Sequence, residues 1–306
     1  MPKKFKKVVV LLGGRSAERD VSLKSGQAVL KALVRKGYDA KAVDARGLFW
    51  NELKDENTDA VFVILHGRYG EDGTVQGMLE LMDIPYTGSG VTASALAMDK
   101  ILTKAVLRQY GVPVADDFEF GQTIRYPVIV KPSREGSTIG VTIVSGEEEL
   151  AAAYEEAARY DDRVLIEEFV EGQLLTVAVI GTPATALPIV EVRAKSGFYD
   201  YEAKYTPGQT EYIVPAVLAE DKTSQLQQAA LDAHNALGCD DLSRVDFIME
   251  PGGRIVCLEV NTLPGLTETS LVPKAAAAAG LGFEELVEKV LTGAALKQKP
   301  KPAAKV

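Results

Sequence analysis

The sequence has few of the residues that build zinc sites or disulfide frameworks. Among its 306 residues there are two histidines, His66 and His234, and two cysteines, Cys239 and Cys257. Two histidines leave little room for zinc, and the cysteines have neither metal-ligand spacing nor a disulfide framework. We therefore expect both cysteines to be small buried side chains in a protein of a reducing compartment.

The chain also lacks the features of a membrane protein or a nucleic-acid-binding protein. No run approaches the ~18 apolar residues of a membrane span. The apolar run at residues 8–12, which follows a basic start, is too short for the core of a signal peptide. The net charge is −9 with a pI near 5.0, and no basic stripe is present. We expect a soluble cytoplasmic protein without a nucleic-acid or membrane partner.

The first part of the chain alternates buried strands with helices. Apolar runs at residues 8–12 and 60–65 predict buried strands, each leading through a glycine-rich turn to a helix. These helices are predicted over residues 22–36 and 74–82. Strand, turn and helix in repeated order favour a small parallel α/β layer.

The pattern changes at the next helix, predicted over residues 91–110, and we place the first domain boundary near residue 97. Beyond it, short strands follow one another with single helices between groups of them. Strands are predicted at 128–131, 140–144, 164–168 and 174–180, strand-rich stretches at 185–192 and 244–260, and helices at 147–160 and 222–237. This order is typical of an α+β arrangement.

The stretch "SRVDFIMEPGGRIVCLEVNTLPG", residues 243–265, predicts a hairpin with a polar face. Alternate residues of a strand share a face, so Arg244 and Asp246 point together, as do Glu259 and Asn261. A four-residue loop would set Asp246 directly opposite Glu259, and two such carboxylates repel unless a proton or a cation lies between them. Two carboxylates and an amide oxygen suit Mg²⁺ held partly by substrate phosphates. The alternative is a solvent-facing strand edge with ordinary charges.

The stretch "KPSREGSTIG", residues 131–140, has its lysine before the glycines and a β-branched run after them. A P-loop needs strand, loop and helix, whereas this pattern predicts strand, loop and strand, which excludes a P-loop. Lys131 at the strand end can reach phosphates as a point charge, and the small residues that follow offer free N–H groups. Read alone, the loop is equally compatible with a polar hairpin turn.

Seven stretches read together resemble one enzyme family. They are "LLGGRSAERDVSLKSG", "LHGRYGEDGTVQGMLELMDIPYTGSG", "MDK", "VKPSREGSTIGV", "YDYEAKY", "RVDF" and "LEVNTLPGLTETSLVP". Along nearly the whole chain they are similar to ATP-grasp enzymes, specifically the D-alanine–D-alanine ligase family. The resemblance implies an α/β and α+β fold, with an N-terminal Rossmann-like domain (1–96) followed by a two-lobed ATP-grasp domain (97–306, its central lobe 97–178 and its C-terminal lobe 179–306).

In this family ATP phosphorylates the carboxylate of one D-alanine, and the amine of a second D-alanine attacks the acyl phosphate to form a peptidoglycan precursor. The resemblance implies that the catalytic residues are Glu18, Ser137, Tyr205, Arg244 and Ser270. It implies substrate contacts from His66, Gly265 and Leu271. For ATP it implies Lys100, Lys131, Glu167, Glu168, Phe169, Val170 and Lys204.

The resemblance also implies roles for particular groups. Glu18 is expected to hold the ammonium of the first D-alanine, and Arg244 to stabilise the acyl phosphate and the oxyanion formed from it. Lys204 and Tyr205 belong to a loop expected to close over ATP, and a tyrosine there favours an amine nucleophile. Two Mg²⁺ ions, which Mn²⁺ can replace, are expected on Asp246, Glu259 and Asn261. A homodimer is the expected assembly.

Three positions depart from the family pattern. Leu174 stands where the family usually has a glutamate for the ribose hydroxyls, which predicts weaker ATP binding or compensation by Glu171. Thr269 and Leu263 stand where some relatives have histidine and serine, and neither change removes a metal ligand. There are two alternatives to this function: another ATP-grasp carboxylate–amine ligase and, because of Leu174, a nucleotide-binding homologue with weakened catalysis.

Overall fold

The structure, a computed structural model, describes residues 3–55, 57–195, 206 and 208–298. Strands in these ranges form three sheets, of three, six and four strands. Within the same ranges, no helix is both long enough and apolar enough to cross a lipid bilayer.

The first sheet has three parallel strands. β1 (Lys7–Leu12) lies in the middle, between β2 (Asp39–Asp44) and β3 (Ala60–Val63). After its first residue every side chain of β1 is buried, as expected for a parallel strand covered on both faces. α1 (Arg19–Arg35) packs on one face through its buried stripe. The predicted parallel α/β layer is confirmed, although α1 begins three residues earlier than predicted.

The single helix predicted over residues 91–110 is wrong, because two helices are present. α4 (Val91–Met98) ends and α5 (Lys100–Gln109) begins at Asp99, whose backbone is extended with φ −94° and ψ 104°. The Asp99 carboxylate accepts hydrogen bonds from two backbone amides in the first turn of α5, at 3.1 and 3.2 Å. This is an N-cap, and it lets the chain change direction within a run of helix-forming residues.

The four-stranded sheet is antiparallel and is covered by α6 (Glu147–Ala158). In spatial order its strands are β4 (Asp117–Phe118), β7 (Val164–Glu168), β5 (Val128–Pro132) and β6 (Thr142–Val144). The glycine-rich stretch joins β5 directly to β6. The predicted order of strand, loop and strand is therefore confirmed.

The six-stranded sheet follows the order β11–β10–β8–β12–β13, with β9 beside β8. Its strands are β8 (Gln173–Ile180), β9 (Thr185–Ala186), β10 (Val190–Ala194), β11 (Thr210–Ile213), β12 (Leu242–Met249) and β13 (Ile255–Asn261). One face packs against α7 (Glu220–Ala236). On the other face Ala178 and Leu242 join the core of the first sheet. Arg244 and Asp246 follow Leu242 on this second face, which directs them towards the N-terminal part of the chain.

Four more helices are present in the described residues: α2 (Phe49–Asp55), α3 (Thr74–Leu81), α8 (Leu271–Ala278) and α9 (Phe283–Gly293). α9 and α1 share one apolar core. Cys239 and Cys257 are free and buried, as predicted. Burial raises the pKa of the Cys239 thiol to about 12, so it is an apolar side chain rather than a nucleophile.

Candidate active site

A cavity of about 620 Å³ is lined by loops that follow β1, β3 and β5 and by the hairpin of β12 and β13. Ten of the predicted site residues line it: Glu18, His66, Lys100, Ser137, Arg244, Glu259, Asn261, Gly265, Ser270 and Leu271. Lys131, Asp246 and residues 167–170 are not part of its lining. Lys204 and Tyr205 lie outside the described residues.

Glu18 joins the N-terminal part of the cavity to the glycine-rich loop. Ser137 Oγ donates a hydrogen bond to Glu18 Oε1 at 2.6 Å. A Cβ atom on Gly67 or Gly136 would lie 3.0 or 3.1 Å from Glu18 Oε2, so the carboxylate fits because both positions are glycine. Ser137 and Thr138 have φ values of +53° and +64°, a left-handed conformation that costs free energy and is concentrated at functional sites.

His66 presents an unpaired ring nitrogen at the cavity. The side chain is buried, and its Nε2 has no hydrogen-bond partner among the described residues. Burial lowers the pKa of His66, and the nearby Glu18 carboxylate offsets this only in part, so the ring is neutral at pH 7. A buried nitrogen without a partner is costly unless a ligand pairs with it. This atom therefore marks a ligand contact.

Glu71 lines the same wall, although the sequence motifs suggest no role for it. Its Oε2 accepts a hydrogen bond from the Gly67 amide at 2.6 Å. Burial raises the pKa of Glu71 well above its ordinary value, and the negative charge of Glu18 raises it further. The site therefore disfavours a second negative charge, on Glu71, beside the Glu18 carboxylate. The only signal in the sequence is a carboxylate within a glycine-rich turn.

The hairpin of β12 and β13 places Asp246 directly opposite Glu259, as predicted. The loop is nevertheless longer than predicted. Met249 pairs with Ile255, so five residues, 250–254, separate the strands instead of the predicted four. Continuing that register would bring Leu258 opposite Asp246. A β-bulge next to Asp246 shifts the pairing by one residue and restores the predicted partner.

Arg244 lies beside the two facing carboxylates and pairs with one of them. Its Nε and Nη2 donate to Asp246 at 2.9 and 2.7 Å, and Nη2 lies 3.7 Å from Glu259 Oε1. Thr176 Oγ1, on the neighbouring strand β8, donates to Asp246 Oδ1 at 2.5 Å. The predicted common face of Arg244 and Asp246 is confirmed. The guanidinium borders the cavity, where it can meet an anionic ligand.

The oxygen atoms of Asp246, Glu259 and Asn261 have the chemistry that Mg²⁺ prefers. Asn261 Oδ1 is oriented by the Leu263 amide at 3.1 Å, and Lys100 Nζ lies 4.0 Å from Glu259 Oε2. Across the described residues, no cluster of three or more His, Cys, Asp or Glu side chains could hold a metal ion. A magnesium ion here therefore needs the amide and oxygens of a bound ligand besides the two carboxylates. The residues fit such an ion.

The two lysines predicted for phosphate binding have different surroundings. Lys100 lines the cavity, and its Nζ donates to the Glu135 carbonyl at 2.7 Å. Lys131 is buried, and its ammonium is hydrogen-bonded to the Glu167 carboxylate. Lys104 binds the same carboxylate. Burial alone would raise the pKa of Glu167, but the two ammonium groups outweigh it and hold the pKa below its ordinary value.

Asp99 ties Lys100 to the glycine-rich loop. Its Oδ1 accepts a hydrogen bond from Ser133 Oγ at 2.8 Å, and its Oδ2 lies 2.5 Å from Arg163 Nη1. The Lys100 amide donates to the Ser133 carbonyl at 3.1 Å. Asp99 is thus a second residue that the sequence motifs do not single out, except as the middle letter of "MDK".

The segment predicted to contact ATP, residues 167–170 at the end of β7, is held in place by its neighbours. Arg254 makes a bidentate pair with Glu168, at 2.6 and 2.8 Å. The Phe169 amide donates to the Pro127 carbonyl at 3.3 Å, and Val170 is buried. These contacts fix the backbone of the segment. Its contact with a nucleotide stays a prediction.

Ser270 immediately precedes α8 at the other end of the cavity. Its hydroxyl is hydrogen-bonded to Thr267 Oγ1 at 2.8 Å and accepts from the Thr267 amide at 3.1 Å. A Cβ atom on Gly265 would lie 3.3 Å from Ser270 Oγ. The N-terminus of α8, at Leu271, favours a negatively charged group such as a carboxylate.

Comparison with known proteins identifies similar chains of nearly equal length. Family models described as "D-ala D-ala ligase C-terminus" and "D-ala D-ala ligase N-terminus" match residues 108–292 and 45–89. A D-alanine--D-alanine ligase of Syntrophotalea carbinolica is 53% identical, and the match covers 96% of this chain and 97% of that protein. One from Geobacter sulfurreducens is 50% identical, with 97% and 96% covered.

A solved structure is similar over the same extent. The VanG D-Ala:D-Ser ligase from Enterococcus faecalis matches with a TM-score of 0.80 and 31% identity. The match covers 94% of this chain and 99% of that one. The predicted fold class, a Rossmann-like part followed by an ATP-grasp fold, is confirmed.

Proposed function

The chain belongs to the D-alanine–D-alanine ligase family, and we propose that it joins two D-alanine molecules at the expense of ATP, releasing ADP and phosphate, for peptidoglycan synthesis. One observation carries the proposal: Glu18, Ser137, Arg244 and Ser270, from four distant parts of the chain, line one cavity. Another ATP-grasp carboxylate–amine ligase shares Lys131 and the metal ligands but need not have Glu18, Ser137, Tyr205 and Ser270 together. The relatives from Syntrophotalea carbinolica and Geobacter sulfurreducens, which are about 50% identical to this chain, are D-alanine–D-alanine ligases.

We assign the first D-alanine to the wall formed by Glu18 and His66. The Glu18 carboxylate, oriented by the Ser137 hydroxyl, pairs with the substrate ammonium. The His66 ring borders the same wall, and its unpaired Nε2 gains a hydrogen-bond partner in the bound substrate. Glu71 lines the same wall, and burial together with the nearby Glu18 charge raises its pKa, so the substrate ammonium is assigned to Glu18 rather than to Glu71.

Arg244 and the start of α8 serve the second half of the reaction. A carboxylate oxygen of the first D-alanine takes the γ-phosphoryl group, and ADP leaves. The amine of the second D-alanine attacks the carbonyl carbon, loses a proton, and phosphate departs. Arg244 stabilises the charge on the acyl phosphate and the oxyanion. Gly265, Ser270 and Leu271 hold the carboxylate of the second D-alanine at the helix N-terminus.

ATP binds between the two ATP-grasp lobes, which we place at residues 97–178 and 179–306. Lys100 and Lys131 bind its phosphates. Residues 167–170 hold the rest of the nucleotide, and Lys204 and Tyr205 close over it and exclude water. Mg²⁺, or Mn²⁺ in its place, supplies charge neutralisation of the phosphates when it is held by Asp246, Glu259 and Asn261.

Phosphate release from ATP tests the proposed function. Release should depend on D-alanine and should be absent with L-alanine, and the product should be the dipeptide. Efficient use of D-serine as the second substrate would indicate the specificity named for VanG. Use of D-lactate would indicate an ester-forming enzyme. Chelation of divalent cations should stop turnover, and Mg²⁺ or Mn²⁺ should restore it. Turnover that is independent of D-alanine would contradict the proposal.

Leu174→Glu should lower the KM for ATP by about tenfold, because it restores a charged acceptor for the ribose hydroxyls. Leu174 is partly buried on β8, opposite Val192 and Ile248, on the face that carries Thr176 and Asp246. Leu174→Ala is the matched control, since it removes the leucine without adding an acceptor. Steady-state kinetics at saturating D-alanine measure the effect. An unchanged KM in Leu174→Glu would sink the idea.

We further propose that the protein is a cytoplasmic homodimer. Light scattering should give a mass of twice 32.9 kDa, and cell fractionation should recover the protein with the cytoplasm. A mass of 32.9 kDa at micromolar concentration would contradict the homodimer. Recovery in the membrane fraction would contradict the cytoplasmic location.

A further inference from the structure

Two buried lysines, on α5 and β5, converge on one buried carboxylate on β7. Lys131 is hydrogen-bonded to Glu167 Oε1, and Lys104 to Oε2. The exposed fraction is 8% for Lys131, 2% for Lys104 and 4% for Glu167. Lys104 lies on α5 and does not line the cavity. It is therefore too enclosed to bind a ligand directly.

We infer that Lys104 is a positioning residue for ATP: it remains with Glu167 so that Lys131 can leave that carboxylate and bind phosphate. The inference rests on the proposed function, in which Lys131 is a phosphate ligand. In the described structure the ammonium of Lys131 is engaged by Glu167. Binding phosphate thus requires this ion pair to loosen.

Loosening the pair has a cost that depends on what remains beside Glu167. A buried carboxylate that loses its only cation is strongly destabilising, because desolvation is no longer offset. With Lys104 on the other oxygen, Glu167 keeps a cation and stays ionised and oriented. Lys104 therefore makes Lys131 available to the nucleotide at a lower cost.

Lys104 also has a second partner, which defines a competing structural role. It binds Asp117, whose other oxygen lies 2.5 Å from Arg108 Nη1. Asp117 lies directly opposite Glu167 on β4 and β7, and facing like charges destabilise a sheet. Lys104 could thus serve stability alone, by separating these two carboxylates. The experiment has to distinguish this role from the one inferred.

Calorimetric titration with ATP and Mg²⁺, on the full chain, separates the two roles. Lys104→Met should raise the Kd for ATP by about 10–100-fold, because Glu167 then retains Lys131. Lys104→Arg keeps the charge and should restore most of the affinity. Asp117→Asn removes the other partner of Lys104 and is the matched control, with an unchanged Kd expected. The KM for D-alanine should not change in any of them.

The double variant Lys104→Met/Glu167→Gln gives the decisive comparison. Without the carboxylate Lys131 is released, so the double variant should bind ATP as tightly as Glu167→Gln alone. Equal affinity of Lys104→Met and the wild-type protein for ATP would overturn the inference, as would weaker ATP binding by the double variant than by Glu167→Gln.

An equal loss of ATP affinity in Asp117→Asn would assign Lys104 to stability. If Lys104→Met does not fold, Lys104→Gln removes the charge while keeping a hydrogen-bond donor. A wild-type protein that does not bind ATP would instead contradict the proposed function.

Discussion

Arg244→Ala should lower kcat by about 10²–10³-fold, while the affinity for ATP stays nearly unchanged. Arg244 borders the cavity and is the cation nearest to Asp246, so it is placed to meet negative charge that develops during acyl transfer. Such a contact strengthens in the transition state, and its loss appears in kcat rather than in ground-state binding. Phosphate release and calorimetric titration with ATP measure the two quantities.

The variant is expected to fold and to bind nucleotide because other contacts remain. Asp246 keeps the hydrogen bond from Thr176, and Lys100 remains 4.0 Å from Glu259. Arg159→Ala is a suitable control, since Arg159 is exposed and pairs only with Glu156 one turn earlier on α6 among the contacts described. It should leave both kcat and stability unchanged. If Arg244→Ala kept most of the activity, Arg244 would have no role in catalysis.

Glu18→Gln should lower kcat/KM for D-alanine by about 10²-fold or more, because a substrate ammonium loses its charged partner in a partly buried site. Glutamine keeps the shape of the side chain, which matters between the backbones of Gly67 and Gly136. It can also keep a hydrogen bond with Ser137 Oγ. The loss therefore reports on charge rather than on packing. Initial rates at limiting D-alanine measure it.

A matched exchange elsewhere controls for the loss of one negative charge. Glu284→Gln removes a carboxylate that pairs with Arg35 at the surface, and it should leave kcat/KM unaltered. The KM for ATP should be unchanged in both variants. If Glu18→Gln instead raised the KM for ATP and left D-alanine unaffected, Glu18 would belong to the nucleotide site.

The local patterns of the sequence predict those parts of the site that lie on one regular element. Alternation along β12 places Arg244 and Asp246 on one face, which the structure confirms. The predicted pairing of Asp246 with Glu259 is also right, but the sequence pattern does not predict the feature that produces it. The loop is one residue longer than predicted, and a bulge compensates for it. Bulges are set by local backbone geometry, which hydrophobic alternation does not report.

Contacts between distant segments are beyond such patterns. Glu18 and Ser137 meet across 119 residues, and only the resemblance to a family links them in advance. Lys104 is a polar residue in an amphipathic helix, and its burial against Glu167 depends on where β7 lies. The break at Asp99 is likewise invisible to periodicity, because the helix formers continue on both sides. Tertiary position decides the first two, and a local N-cap decides the third.

The shared cap at Asp99 has a consequence for the order of events in the reaction cycle. Lys100 follows Asp99 directly and is bonded through its amide to Ser133, at the start of the loop that carries Ser137. The Lys100 ammonium also donates to the Glu135 carbonyl of the same loop, so both the backbone and the side chain of the lysine are bonded to it. A displacement of the loop, from either the nucleotide or the amino-acid side, moves the lysine with it. On the proposed function, we therefore expect binding at the nucleotide pocket and at the amino-acid pocket to be coupled through this shared element.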